Sequence, residues 1–468
     1  MKLIGINALN ALVLASFLAV LGGGAASAQS FGAIYGGISP SYVAPGQTIS
    51  IQASVQATAP CNNCGVLLSL ADQSANPIGP QQGFGASFVG GDTQEFTWNY
   101  TVPPDMTGTH TLVVGVFGPS WQGTYAWEIV SSVTFVATPP QALNNIPFPG
   151  VNLSGAEYNL YNRNAVLNQD YTYPTIDELD YYARSLPATD RWWSAPVVRI
   201  PFDICRMQLT LNGPLNPTEL AALDPLVYHA TSIGLVVQLD AHNYGYMCDD
   251  SGTPRLIGVD PALGAGNGNV AFANFWQQMA QHYPNANARI ILGLMNEPNQ
   301  QTPTQWRASA EAAVAAIRST GSASLITIPG TYWTGCHDWV ESGNAAAWAG
   351  FRDFDFAFEC HQYLDKQFSG TSPYCQPGNG GTTTLAAVTQ WARNYGAWFF
   401  MSETGWSQDP SCPTEGYNEM NYISENADVF GGYAYWAGGP WWSPNYMYLI
   451  EPQGGFDQPQ MTILQDNL

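Results

Sequence analysis

Charge is the scarcest property of this chain: Asp, Glu, Lys and Arg make up 10% of its 468 residues, against roughly 25% in average usage. Lysine is nearly absent, with only Lys2 and Lys366. Lys and Arg total 13 against 35 Asp and Glu, a net charge of −22. Such a surface cannot neutralise phosphates, which excludes nucleic acid and anionic membranes as partners. An uncharged partner remains. Few charges also leave few groups whose protonation would unfold the chain, so acid tolerance is expected. Beyond Leu21 no run is long and apolar enough to cross a bilayer. No cysteine is left over from the even count of 8. Cys61-Asn62-Asn63-Cys64 has the inner spacing of half a zinc site, but no second Cys or His pair follows at a suitable distance, so a small loop disulfide is expected instead.

What is present begins with an export signal. Met1-Lys2, the mostly apolar run Ala8 to Leu21 and the small residues Ala26-Ser27-Ala28 form the charged start, apolar core and cleavage site of a signal peptide over 1–28. Gly22-Gly23-Gly24 interrupts the run before it reaches the ~20 apolar residues of a membrane anchor. A secreted, extracellular chain follows, whose cysteines form disulfides and which meets no membrane after cleavage. Aliphatic and aromatic residues are 46% of the chain and spread along it, and its length exceeds one ordinary core, so two domains are expected.

From 29 to 138 short β-rich runs alternate with turns, at Thr48–Val55, Val66–Leu70, Phe96–Val102, Thr111–Phe117 and Val133–Val136, without helical periodicity. They predict a small all-β, immunoglobulin-like sandwich. The proline-rich stretch 139–149 reads as a linker. From 150 to 468 buried strands alternate with helical segments, and eight can be counted: Gly150–Leu153, Val197–Pro201, Gly234–Asp240, Arg289–Met295, Ser324–Ile328, Asp355–Cys360, Ala397–Ser402 and Gly431–Trp436. Between them lie helices, one starting at Asn216-Pro217-Thr218-Glu219 with a cap, a proline and a returning Glu, another over Pro303–Ser319. The overall class is α/β, a (β/α)8 TIM barrel with its site at the C-terminal strand ends.

Strand four runs into Asn296-Glu297-Pro298, where the proline stops the strand, and strand seven into Ser402-Glu403-Thr404. Each Glu alone reads as a surface salt bridge or cap; two at buried strand ends weaken that reading. Glycoside hydrolysis needs such a pair, one acid to protonate the leaving oxygen and one carboxylate about 5–5.5 Å away to attack the anomeric carbon. Arg199, His242-Asn243-Tyr244, His361-Gln362-Tyr363 and Trp436 stand at the other strand ends. Singly, each reads equally well as packing or an ordinary pair. Trp333, Trp339, Trp441 and Trp442 would offer apolar faces on which sugar rings stack, whereas Trp192, Trp193 and Trp276 read as packing.

Across Gly150 to Pro452 the chain resembles glycoside hydrolase family 5, the cellulase family of retaining (β/α)8 enzymes. The resemblance rests on Gly150-Val-Asn-Leu-Ser-Gly-Ala-Glu157, Val198-Arg-Ile-Pro-Phe202, Asp240-Ala-His-Asn-Tyr244, Met295-Asn-Glu-Pro298, His361-Gln-Tyr363, Ser402-Glu-Thr-Gly405 and Tyr435-Trp-Ala-Gly-Gly-Pro-Trp-Trp442, in the family's order. It implies Glu297 as acid/base, Glu403 as nucleophile, Asn296 on the sugar 2-hydroxyl, His242 and His361 as binding and network histidines, and Trp436 as platform under the sugar. It implies neither metal nor organic cofactor. The end motifs are most similar to endo-β-1,4-glucanases, so a β-glucan polysaccharide such as cellulose is the implied substrate, and a monomer suffices. Cys375 and Cys412 sit where such enzymes have a disulfide; strand adjacency then links Cys205 with Cys248 and Cys336 with Cys360. Where the family commonly has an arginine, Tyr246 stands.

The same mechanism on mannan, xyloglucan or mixed-linkage glucan stays open, because loops read the sugar while the catalytic pair reads the anomeric centre. A non-catalytic carbohydrate-binding barrel would lack one carboxylate, and both are present. For residues 29–138, Trp121, Tyr125 and Trp127 admit a carbohydrate-binding module or a structural spacer.

Overall fold

The computed structural model describes residues 31–466 apart from 40–41, 44–47, 73–74, 103–107, 136–147, 187–194, 285–288 and 354. The signal peptide, most of the 139–149 linker, and Trp192 and Trp193 lie outside the described residues. The chain divides into two units, the smaller ending at Ser132.

The described residues of the smaller unit are nearly all β, and its sheets extend a few residues into segments grouped with the larger one. Three strands, Phe31–Ser39, Thr48–Ala57 and Thr93–Thr101, form one sheet, and Tyr42–Val43, Thr124–Phe135, Gly108–Phe117, Cys61–Ala71 and Pro77–Phe88 form, in that order, a second. Ile49, Ile51, Ala53 and Val55 are buried at every second position, the period of a strand with one face inward. Phe31–Ser39, Pro77–Phe88 and most of Thr124–Phe135 exceed what the sequence predicts. In Pro77–Phe88 the reason is physical, for its prolines and glycines read as turns.

The larger unit contains a closed barrel of eight parallel strands: β1 (Gly150–Leu153), β2 (Val197–Phe202), β3 (Val236–Ala241), β4 (Ile290–Gly293), β5 (Leu325–Pro329), β6 (Phe356–Tyr363), β7 (Phe399–Gly405) and β8 (Phe430–Gly438), with β8 closing on β1. Nearly every strand residue is buried, as expected when helices cover the outside and side chains fill the inside. Three of the connecting helices begin at side-chain caps. Thr175 and Glu178 form a capping box for Ile176–Ser185, and Thr302 and Gln305 one for Pro303–Ser319. Asn216 caps Pro217–Ser232 alone. Glu219 does not return to that cap; it is buried and accepts hydrogen bonds from the Tyr171 and Tyr173 hydroxyls. A buried carboxylate finds stronger donors there than a lone backbone amide.

Disulfides join Cys61 to Cys64, Cys205 to Cys248, Cys336 to Cys360 and Cys375 to Cys412. No described helix is long and apolar enough to cross a membrane.

Candidate active site

The polar side chains of the barrel interior gather towards the C-terminal strand ends. Arg199 on β2 is wholly buried and is the hub. Its Nη1 donates to Asn152 Oδ1 and Glu403 Oε1, both at 2.8 Å, and its Nη2 to Asn296 Oδ1 at 2.8 Å, with Asp240 Oδ1 at 3.1 Å and Glu359 Oε1 at 3.5 Å. One cation thus faces carboxylates from β3, β6 and β7. A buried charge persists only when paired and hydrogen-bonded in this way.

Glu403 owes its aim to an irregularity in β7. Cys360 pairs with Met401 but His361 with Glu403, and on the other side Met401 pairs with Tyr433 but Thr404 with Tyr435. Both neighbours therefore see one extra residue in β7, and such a bulge re-aims side chains. As a result Ser402 Oγ lies 3.0 Å from His361 Nε2 while Glu403 Oε2 accepts from the Tyr363 hydroxyl at 2.8 Å.

Glu297 arrives differently. β4 ends at Gly293, and the following loop is tied down by Trp276 Nε1 donating to Leu294 O at 3.1 Å and Asn296 N to Ala241 O at 2.8 Å. Glu297 has φ +44, a left-handed backbone that a non-glycine residue holds only where its surroundings impose it. Its Oε1 lies 2.8 Å from His361 Nδ1. An oxygen of Glu297, an oxygen of Glu403 and a ring nitrogen of His361 all fall within 4.8 Å of one another. These three could in principle ligate a cation, but His361 engages Glu297, and Arg199 and Tyr363 take the oxygens of Glu403.

The two carboxyl groups are pushed in opposite directions. Burial raises the Glu297 pKa above the ordinary carboxylate range, and His361 only partly opposes it. Burial acts on Glu403 too, but the charges of His361, Arg199 and His242 and the Tyr363 hydroxyl outweigh it and hold the group below that range. His361 itself, although burial disfavours its cation, is raised to about 10 by Glu403, Glu297 and Glu359. The two displacements favour a protonated Glu297 beside an ionised Glu403.

His242 places Nδ1 2.7 Å from Asp240 Oδ2 and Nε2 3.1 Å from the Asn296 amide. Because Asn296 Oδ1 accepts from Arg199, its amide nitrogen is the group turned to His242. The His242 ring stacks near Trp436, with centroids 5.4 Å apart and planes 22° from parallel, and Tyr244 meets it edge-on. Trp442 lies flat on Tyr446 at 3.8 Å, and Trp441, 40% exposed, stands by Tyr158 on the rim.

Eight of the sequence-predicted residues therefore come together: Glu297, Glu403, Arg199, Asn296, His242, His361, Tyr363 and Trp436, with Tyr244 beside them and Trp441 further out. Asn243 does not. It is wholly buried, accepts from Ile204 N at 2.8 Å and donates to Asp203 at 2.7 Å, so it fastens neighbouring loops. Trp339 is a core residue, buried against Phe358, Trp391 and Phe399, as Trp276 is against Phe275; Trp333 stays exposed next to Tyr244. Sequence reading missed Glu359, Asp240 and Asn152 as partners of Arg199. The available signal was the strand period of two, which puts Glu359, His361 and Tyr363 on one side of β6.

A buried carboxyl group and a partly exposed one, of opposite pKa displacement, at the mouth of a closed (β/α)8 barrel mark a glycoside hydrolase. The chain belongs to glycosyl hydrolase family 5: the profile described as Cellulase (glycosyl hydrolase family 5) matches residues 179–439. It is similar to endoglucanase 1 of Robillarda sp. (strain Y-20), 35% identical over 250 residues that are 52% of this chain and 64% of that protein. The match to endoglucanase EG-II of Hypocrea jecorina covers 57% of that protein's length at 31% identity and 52% of this chain, so the chain spans about three fifths of these curated relatives. Among solved structures it is similar to XacCel5A in complex with cellopentaose, at TM-score 0.63 and 34% identity over 69% of this chain and 99% of that one. It is also similar to an endo-β-1,4-glucanase from Xanthomonas axonopodis pv. citri, at TM-score 0.61 and 35% identity over 69% and 98%.

Proposed function

We propose that the chain is a secreted, retaining endo-β-1,4-glucanase that cuts internal bonds of cellulose or a related β-glucan by double displacement. The observation that carries this reading is the close pair Glu297 and Glu403, within 4.8 Å by their nearest grouped oxygens and of opposite pKa displacement. That closeness fits a nucleophile better than a water-activating base, which needs roughly 6.5–9.5 Å. Glu403 Oε2 or Oε1 attacks the anomeric carbon while Glu297 gives its proton to the departing glycosidic oxygen. Glu297, now a carboxylate, then takes a proton from water, which displaces Glu403 and restores the β configuration. Arg199 and Tyr363 keep Glu403 ionised and oriented, Asn296 is placed to meet the 2-hydroxyl, and Trp436 offers a face to the sugar. The names of the similar proteins, several endoglucanases and one solved with cellopentaose, support the β-glucan substrate, and disulfides support export.

The test is viscosity loss of soluble cellulose, with mannan and xyloglucan alongside, and the anomer released followed by NMR. Rapid viscosity loss with β product first is expected. Glu297→Gln should lower turnover about 10²–10⁴-fold and Glu403→Gln at least as much. Initial α product, or full activity in either variant, would overturn the mechanism; preference for mannan or xyloglucan would overturn the substrate alone.

A further inference from the structure

The smaller unit carries a second aromatic surface that the family match, starting at residue 179, does not reach. In the five-stranded sheet Gly65 pairs with Gly85, and Leu67 pairs with Gly83 on one side and Gly115 on the other. Indole rings occupy the space this leaves. A Cβ on Gly65 would come within 2.5 Å of the Trp121 ring and one on Gly83 within 2.8 Å, so Trp121 lies against the bare backbone of two strands. It is brought there by an unusual turn, with Ser120 at φ 58 and Trp121 at φ 64, consecutive non-glycine residues in the left-handed region. Trp121 N donates to Gly118 O at 3.0 Å and Asn63 Nδ2 to Ser120 Oγ at 3.3 Å, which hold the turn. Yet Trp121 remains 44% exposed. Strain is thus borne to seat a large ring against the backbone of the sheet while nearly half of the residue stays exposed to water. Its neighbours behave otherwise: Trp127 is half-buried and donates to Ala75 O at 3.2 Å, and half-buried Tyr125 stacks on Phe31.

We propose that Trp121 is a stacking platform for an uncharged β-linked polysaccharide chain, a binding site separate from the barrel cleft. Charge narrows the occupant, because no lysine or arginine occurs between Lys2 and Arg163, so this surface offers nothing to phosphates or carboxylates. Area narrows it again. The exposed part of one indole is on the order of 100 Å², far below the ~800 Å² per partner of a stable protein interface. Exposed amides at Asn63, Gln81 and Gln122 stand near in sequence or register, the polar rim that suits sugar hydroxyls around an apolar ring face. The site would hold the enzyme on insoluble substrate.

This rests on the glucan reading of the barrel, so two quantities are measured on each full-length preparation: hydrolysis of soluble cellulose and co-sedimentation with microcrystalline cellulose. Trp121→Ala should keep soluble activity within twofold and weaken sedimentation about tenfold or more, as returning that ring face to water implies. Gly83→Ala, which keeps the indole but pushes it off its seat, should weaken sedimentation as well, and Trp121→Phe should recover part of it. Sedimentation unchanged in Trp121→Ala would overturn the platform, as would a change of oligomeric state with that variant in analytical ultracentrifugation. Absence of hydrolysis in the unmodified enzyme would instead strike the barrel reading.

Discussion

Removing the Tyr363 hydroxyl isolates one of the groups that keep Glu403 ionised. In Tyr363→Phe the ring, nearly buried and stacked on Tyr448 with centroids 5.8 Å apart, stays in place, and only the 2.8 Å hydrogen bond to Glu403 Oε2 disappears. A hydrogen bond to a charged partner is worth about 1.5–3 kcal/mol, and 1.36 kcal/mol corresponds to one pH unit of displaced titration. The acidic limb of the kcat/KM profile, read as ionisation of Glu403, should therefore move to higher pH by about one to two units. Maximal activity on a substrate with a good leaving group should fall less. The stability sign follows the same linkage. Glu403 is held below its unfolded range, so its contribution is present above that range and lost as pH falls through the folded value; the variant should lose less stability on acidification than the unmodified enzyme. The assay is initial rate against pH from about 3 to 8 with a chromogenic cello-oligosaccharide, paired with urea unfolding at pH 4 and 7. An acidic limb that does not move would refute the assignment of Tyr363 as the donor that sustains the nucleophile's charge.

Two further outcomes are expected. Cys205 and Cys248 close a 43-residue separation, for which chain entropy gives about 4 kcal/mol; replacing both by Ser should lower the melting temperature by on the order of 10 °C, and calorimetry showing no change would refute that estimate. Glu419, wholly buried and hydrogen-bonded by the Thr404 hydroxyl, is raised to about 8 chiefly by burial. Its folded state keeps a proton that the unfolded chain releases above its ordinary range, so stability should fall as pH rises towards 8. Glu419→Gln should flatten this slope, gaining most at pH 8 and least near pH 4 in urea unfolding, in keeping with the acid tolerance expected from composition.

The barrel was legible because each of its strands is buried on both faces and stops at a marked place, as β4 runs into Asn296-Glu297-Pro298. The charge network was less so. Glu359 sits two residues before His361, so the strand period puts it on the same side as His361 and Tyr363, but nothing local names Arg199, on a strand 160 residues earlier, as its partner. The bulge at Ser402 and Glu403 depends on the register of both neighbouring strands, so no pattern within β7 announces it. Asn243 shows the converse limit. It adjoins His242 just past the end of β3, yet its side chain is bonded to Asp203 and Ile204 instead of joining the Glu297 and Glu403 group. In the smaller unit, Pro77–Phe88 is a strand against its own composition. Glycines that weaken a strand by leaving its face bare are tolerated where an indole from another segment lies on that face. Gly83, read as part of a turn, is therefore better understood with Trp121, more than 30 residues away, as a floor with its cover.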